Sequence, residues 1–223
     1  MANSPVQRLD LGPDAPTVYV KRDDLLHSHA GGNKWRKLVP QTEWLLRGGA
    51  SGFVSVGGVH SNHLAALAAL GAERGFPTRG LVRAWDGQRE TPTLAFAKTC
   101  GMELHAVTRT QLRAWRAGDV PEGELLGGLH WLPEGGTTRL GMIGVGQMAR
   151  EVEQRLGRAP DAYWVAVGSG GTVAGVARAT AARVHGVMCV RDEGLPGRVG
   201  TLLGGAPEHV RRRRWRGGTR SMA

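Results

Sequence analysis

Three short segments carry residue types that can do chemistry. The first, Gly31-Gly32-Asn33-Lys34-Trp35-Arg36-Lys37-Leu38, leads a glycine pair into a lysine at the head of an amphipathic run ending near Leu46. A lysine at a helix N-terminus meets the positive end of the helix dipole. That disfavours the ammonium and leaves a nucleophilic amine, the form that condenses with a carbonyl group. The competing reading is a solvated lysine in a basic helix start, and Arg36 and Lys37 are expected to be solvated in that way.

The second segment is Gly57-Gly58-Val59-His60-Ser61-Asn62-His63. It ends an apolar run and opens a helix with polar side chains, where free N–H groups suit a carboxylate or a ring oxygen. The alternative is that Ser61 or Asn62 serves only as an N-cap. The two histidines have no carboxylate or thiol beside them, so no metal site is indicated. Ser61 also lacks the G-x-S-x-G elbow of a serine nucleophile. His27, His29 and His105 read as loop or core histidines.

The third segment, Gly168-Ser169-Gly170-Gly171-Thr172, follows an apolar run and precedes a small-residue helix. Glycine amides and the Ser169 and Thr172 hydroxyls suit a phosphate at such a turn. No Gly-Lys-Ser/Thr follows, which excludes a Walker loop. Val173 stands where the third glycine of a dinucleotide fingerprint belongs. A plain tight turn is the alternative. Glu134-Gly135-Gly136-Thr137-Thr138 reads as a turn and an N-cap.

The elements that must position these segments alternate. Strands are expected at 17–22, 52–57, 77–84, 103–107 and 162–167. Helices are expected at 33–47, 61–74, 91–100, 109–117, 140–156 and 173–184, with Pro40 kinking or splitting the first. Residues 127–133 read as a Gly-rich strand or loop. Alternation of this kind argues for an α/β protein with parallel sheets. Residues 192–223 show no strand–helix pattern and are expected to be poorly ordered.

The chain has 223 residues, enough for one or two domains with a real core. No apolar stretch spans a bilayer, and the N-terminus has no secretory signal pattern. Cys100 and Cys189 are isolated thiols, which fits a reducing cytoplasm. The net charge is +10, and half of it arises between Val184 and Ala223, where eight arginines face three acids. The basic balance thus describes the tail more than the body. Non-specific nucleic-acid binding through 211–216, with Trp215 stacking, is the weakest of the functional readings.

Taken together, VKRDDL (20–25), GGNKWRKL (31–38), GGVHSNHLAALAALG (57–71), PTLAFAKTCGMELH (92–105), LPEGGT (132–137) and VGSGGTVAG (167–175) resemble the 1-aminocyclopropane-1-carboxylate deaminase / D-cysteine desulfhydrase family. The blocks occur in order over residues 18–185. The resemblance implies a pyridoxal 5'-phosphate enzyme of the tryptophan-synthase-β-like fold (fold type II). Lys34 would be the Schiff-base lysine and the acid/base at the substrate carbon. Asn62 would bond the cofactor ring oxygen. Ser61 would hold the substrate carboxylate and assist proton transfer, with Asn62 and His63 lining the substrate site. Gly168, Ser169, Gly170, Gly171 and Thr172 would cradle the phosphate. His63 in place of glutamine is closer to the desulfhydrase branch, and His60 stands where glutamine is common.

The same resemblance implies two parallel-sheet lobes. Residues 40–132 would form the small lobe, and 1–39 with 133–185 an incomplete large lobe. Residues 186–223 would form an atypical tail. Family members run to roughly 300 residues, the size of two-domain enzymes. Their last part supplies a group facing the pyridine nitrogen and an active-site tyrosine, and neither Tyr19 nor Tyr163 matches it. The tail reads as an out-of-frame translation that ends early, or as a genuine basic extension. The expectation is a deaminase or lyase of a small amino acid, cytoplasmic and homodimeric. The alternative is a truncated pseudoenzyme that retains at most cofactor binding. Exposed apolar faces on the sheet containing residues 163–167 are also expected.

Overall fold

The computed structural model describes residues 3–83, 90–188 and 192–204, and the backbone of 210–214. Cys189, Trp215 and Arg216 lie outside the described residues, as do the side chains of residues 211–214. The chain divides into two compact units, Met1–Val145 and Gly146–Ala223.

The first unit opens with β1 (Val6–Leu9) and β2 (Val18–Lys21), an antiparallel pair in which Val6 faces Lys21. A 3₁₀ turn, Asp23–Leu26, leads to α1 (Asn33–Arg47). Then follow β3 (Phe53–Gly58), α2 (Asn62–Arg74), β4 (Thr78–Arg83), α3 (Pro92–Thr99), β5 (Glu103–Val107), α4 (Arg109–Ala117) and β6 (His130–Leu132). The four strands from β3 to β6 form a parallel sheet in the order β5-β4-β3-β6.

β3 is central, and its residues 53–57 are all buried because both faces of a parallel sheet are covered. Phe53 joins the core of α1 and α2 with Leu38, Leu64, Leu67 and Leu70. Val54 and Val56 point the other way, to Leu81, Val107 and Leu112. The period-2 alternation of a strand thus divides one apolar run between two cores.

α2 starts where Ser61 caps the Leu64 amide and stops where Gly75 enters the left-handed region (φ 75°). α1 runs unbroken through Pro40, so the expected kink or split does not divide the helix. Pro40 has no amide to give the Arg36 carbonyl. The next helix, α5 (Arg139–Leu156), passes there instead, and a Cβ on its Gly144 would lie 2.1 Å from the Arg36 oxygen and 2.8 Å from Pro40 Cγ. Only a glycine permits that approach.

The unit boundary falls within α5. The second unit adds β7 (Ala162–Val167), α6 (Gly171–Ala177), β8 (Arg183–Met188), α7 (Leu195–Leu203) and β9 (Val210–Arg214). Its three strands are parallel, in the order β7-β8-β9.

Two expectations are corrected here. The helix expected over 173–184 spans only Gly171–Ala177, and residues 183–188 form a strand. Thr180 Oγ1 accepts the Ala182 amide at 3.0 Å, a local turn that competes with helix continuation. The segment expected to lack a pattern carries α7, with Pro196 in its first turn and Gly204 as left-handed C-cap. The expected apolar face on β7 is half realised: Val165 and Val167 are buried, while Trp164 is 62% exposed and stacks on His185.

Candidate active site

The N-terminus of α1 has no side-chain cap; its N-cap is Gly32. Asp23 holds it instead. The Asp23 carbonyl accepts the Gly32 amide at 2.6 Å. Its carboxylate accepts Arg36 Nε at 2.6 Å and Nη2 at 2.8 Å, with Ser4 Oγ donating at 2.6 Å. Gly31 lies so close to the preceding turn that a Cβ would stand 2.4 Å from the Asp24 carbonyl oxygen. Lys34 sits between the two anchored ends, Gly32 and Arg36. The first turn of α1 is therefore fixed by a buried charged pair, and Arg36 is fully buried, not solvated as expected.

Lys34 is half-buried. Burial pulls its amine below the ordinary lysine value, while the Glu134 charge pulls the other way. Lys37, one turn further, is also fully buried, which corrects the second expectation of a solvated side chain. Its Nζ has no hydrogen-bond partner. Burial, and after it the Lys34 charge, lower the Lys37 amine from 10.5 to about 7. The i, i+3 spacing with Lys34 was the available signal, since it puts both amines on one face of the helix.

His63 is buried at the start of α2. Its Nε2 lies 2.8 Å from Ser55 Oγ on β3, and Ser55 Oγ donates to the Leu132 carbonyl on β6 at 2.7 Å. Burial, then the charges of Lys34 and Lys37, push the imidazole from 6.5 down to about 3. Gly136 packs against this group: a Cβ there would stand 3.2 Å from Gln41 Nε2, 3.4 Å from Lys37 Cβ and 3.5 Å from His63 Cε1. Ser55 and Gln41 carried no motif, and only the fold brings them here.

Ser61 caps α2, its Oγ accepting the Leu64 amide at 3.3 Å, so the capping reading of this residue holds. Its hydroxyl proton stays available for a second bond. Asn62 is exposed in the first turn. An open cleft of about 440 Å³ is lined by Gly58, Val59, His60, Ser61, Arg83 and Glu134. Arg83, at the end of β4, is a cleft residue that the sequence did not single out. The structure thus brings Lys34 within electrostatic reach of Lys37, His63 and Glu134. Ser61 and Glu134 share the cleft.

Residues 168–172 lie in the second unit. Residues 168–170 bend between β7 and α6, and Gly171 and Thr172 open α6, two residues earlier than expected. Gly170 has φ 94°, a conformation that favours glycine. A Cβ at Gly168 would meet nothing within 4 Å, so backbone is open on that side. A half-buried amine lowered by burial and a buried lysine Nζ without a hydrogen-bond partner suit an anionic carbonyl compound, and the glycine bend of the second unit, taken by itself, has open backbone for a phosphate.

Helix and strand order with parallel sheets define an α/β fold, and Lys34 and Lys37 mark its candidate site. It belongs to the family of pyridoxal-phosphate dependent enzymes, whose pattern matches residues 2–216. A solved structure of an ACC deaminase homologue superposes with TM-score 0.78 at 26% identity, covering 96% of this chain and 71% of that one. A pyridoxal 5'-phosphate-dependent aspartate racemase shares the fold, with TM-score 0.67 at 16% identity over 95% of this chain and 74% of that one. A Pyrococcus horikoshii protein provisionally named 1-aminocyclopropane-1-carboxylate deaminase is 31% identical over 202 residues, 78% of this chain and 54% of its own length. D-cysteine desulfhydrase of Serratia proteamaculans is 31% identical over 173 residues, 72% of this chain and 52% of its own. The chain spans about half the length of the curated relatives it matches. Among the described residues no helix is long and apolar enough to cross a membrane.

Proposed function

We propose that this protein is a pyridoxal 5'-phosphate-dependent deaminase or lyase of a small amino acid, of the 1-aminocyclopropane-1-carboxylate deaminase / D-cysteine desulfhydrase kind. The observation that carries the reading is the Lys34 amine, half-buried in a turn clamped by Asp23 and held below its ordinary pKa by burial. Such an amine gives up its proton more readily than an ordinary lysine and would carry the cofactor covalently. Bound there, the cofactor supplies an electron sink at the substrate α-carbon.

The chain's own residues do the rest. Lys34 would take and return a proton at the substrate carbon. The Ser61 hydroxyl and the free amides of the first turn of α2 hold the substrate carboxylate. Asn62 donates to the cofactor ring oxygen. Residues 168–172 hold the phosphate through backbone amides and the hydroxyls of Ser169 and Thr172. In this reading, residues 40–132 serve as the small lobe, 1–39 with 133–185 contribute to the large one, and the working form is a cytoplasmic homodimer.

The test is the visible spectrum of purified protein after addition of pyridoxal phosphate. The lysine-bound cofactor has its own absorption band, which Lys34→Ala should abolish. A spectrum unchanged by that substitution overturns the site. Cofactor loading without turnover of D-cysteine or 1-aminocyclopropane-1-carboxylate favours a non-catalytic cofactor binder.

A further inference from the structure

We propose that Ser55 is a positioning residue that locks His63 as its Nε2–H tautomer, so that His63 faces the Lys34–Lys37 pair as a neutral acceptor and is not a ligand for the substrate carboxylate.

The argument is one of hydrogen-bond direction. The Leu132 carbonyl can only accept, so the Ser55 hydroxyl proton points to it at 2.7 Å. Ser55 Oγ is then left with lone pairs toward His63, and the bond at 2.8 Å requires the proton on Nε2. A neutral imidazole with Nε2–H has a bare lone pair at Nδ1. Ser55 is fully buried on the central strand and His63 is 2% exposed, so water cannot scramble the arrangement. β3 and β6, paired at Ser55 and Leu132, set the geometry of the lock.

The surroundings give the bare nitrogen its meaning. His63 Nδ1 and Lys37 Nζ are both buried without a hydrogen-bond partner. The charges acting on His63 are those of Lys34 and Lys37, so protonation at Nδ1 would place a third cation among them. A carboxylate oxygen would meet lone pair against lone pair there. An amine N–H would meet an acceptor. His63 thereby presents a neutral acceptor, and not a third cation, to the lysine amines around it, while carboxylate binding falls to Ser61 and the first turn of α2. That division of labour rests on the proposed function; the tautomer and its effect on the lysines do not.

The test uses cofactor-free protein with ¹⁵N-labelled histidine, with His63→Gln to assign the resonance. Long-range ¹H–¹⁵N correlations report which ring nitrogen carries the proton. In parallel, mass spectrometry follows acylation of Lys34 and Lys37 against pH. The expected result is a neutral His63 with Nδ1 bare at neutral pH. Ser55→Ala should mix the tautomers and move the Lys37 acylation midpoint downward, because an Nδ1–H opposes an ammonium. Ser55→Cys, which keeps a hydrogen-bonding group of similar size, should restore part of both effects. A proton on Nδ1 in the parent overturns the proposal. So does a Ser55→Ala protein whose ring and lysine behave as the parent's. Failure of Lys34 to bind the cofactor would register separately, since neither measurement uses the cofactor.

Discussion

Asp23 and Arg36 form a fully hydrogen-bonded ion pair in the interior: Arg36 donates Nε and Nη2 to the Asp23 carboxylate at 2.6 and 2.8 Å. The same aspartate takes the Gly32 amide on its main-chain carbonyl. One residue thus holds both ends of the short segment that carries Lys34. Removing one partner of such a pair leaves the other charge buried and unpaired. Asp23→Ala should therefore cost about 3–5 kcal/mol of unfolding free energy. Denaturant unfolding of the two proteins measures it, and a loss below about 1 kcal/mol would mean that water replaces the carboxylate freely.

The Lys34–Lys37 pair gives a pH signature. Lys37 titrates at about 7 in the fold against 10.5 in the unfolded chain. Between those values the unfolded chain binds more protons, so stability rises with pH across the window, by up to about 1.4 kcal/mol per unit from this group. Lys34, also lowered, adds in the same direction. Lys37→Met should flatten the rise of cofactor-free protein, read as unfolding midpoints from pH 7 to 10. An equally steep rise in the variant would remove Lys37 as its source.

His63 acts at the acid end. Its pKa falls from 6.5 in the unfolded chain to about 3 in the fold, so the stability it confers as a neutral ring is lost as pH drops from 6.5 toward 3. Between pH 6.5 and 4.5 the loss should reach about 2–3 kcal/mol. His63→Gln should lose correspondingly less over the same interval. Chemical denaturation of both proteins at the two pH values compares them directly.

Much of this was legible in the residues. The strand–helix alternation from 52 to 167 emerges as read, because apolar period and glycine or serine caps agree there. The missed parts have specific causes. The expected helix over 173–184 ran on through Ala181, Ala182 and Val184, and the Thr180 turn that stops it carries no glycine or proline. α7 carries Leu195, Val199 and Leu202 at helical spacing, with Pro196 in its first turn and Gly204 after its end. That signal was masked by the surrounding Gly and Arg content. At the candidate site, Lys34 and Ser61 were singled out from spacing. The burial of Arg36 and Lys37 was not, since it depends on Asp23 and Gly136, and the blocks 20–25 and 132–137 that hold them gave no sign of what they pack against.

Gly144 tests the packing that Pro40 requires. A Cβ 2.1 Å from the Arg36 carbonyl oxygen cannot be accommodated without moving α5 from α1. Gly144→Ala should cost about 1–3 kcal/mol, despite alanine's higher helix propensity. A stabilised variant in thermal unfolding would contradict the close approach.

The central claim is that Lys34, and not its buried neighbour Lys37, carries the cofactor. Protein incubated with pyridoxal phosphate, reduced with borohydride and digested should yield one pyridoxyl-labelled peptide, modified at Lys34. Label on Lys37, or a folded protein with no labelled peptide, would contradict the account.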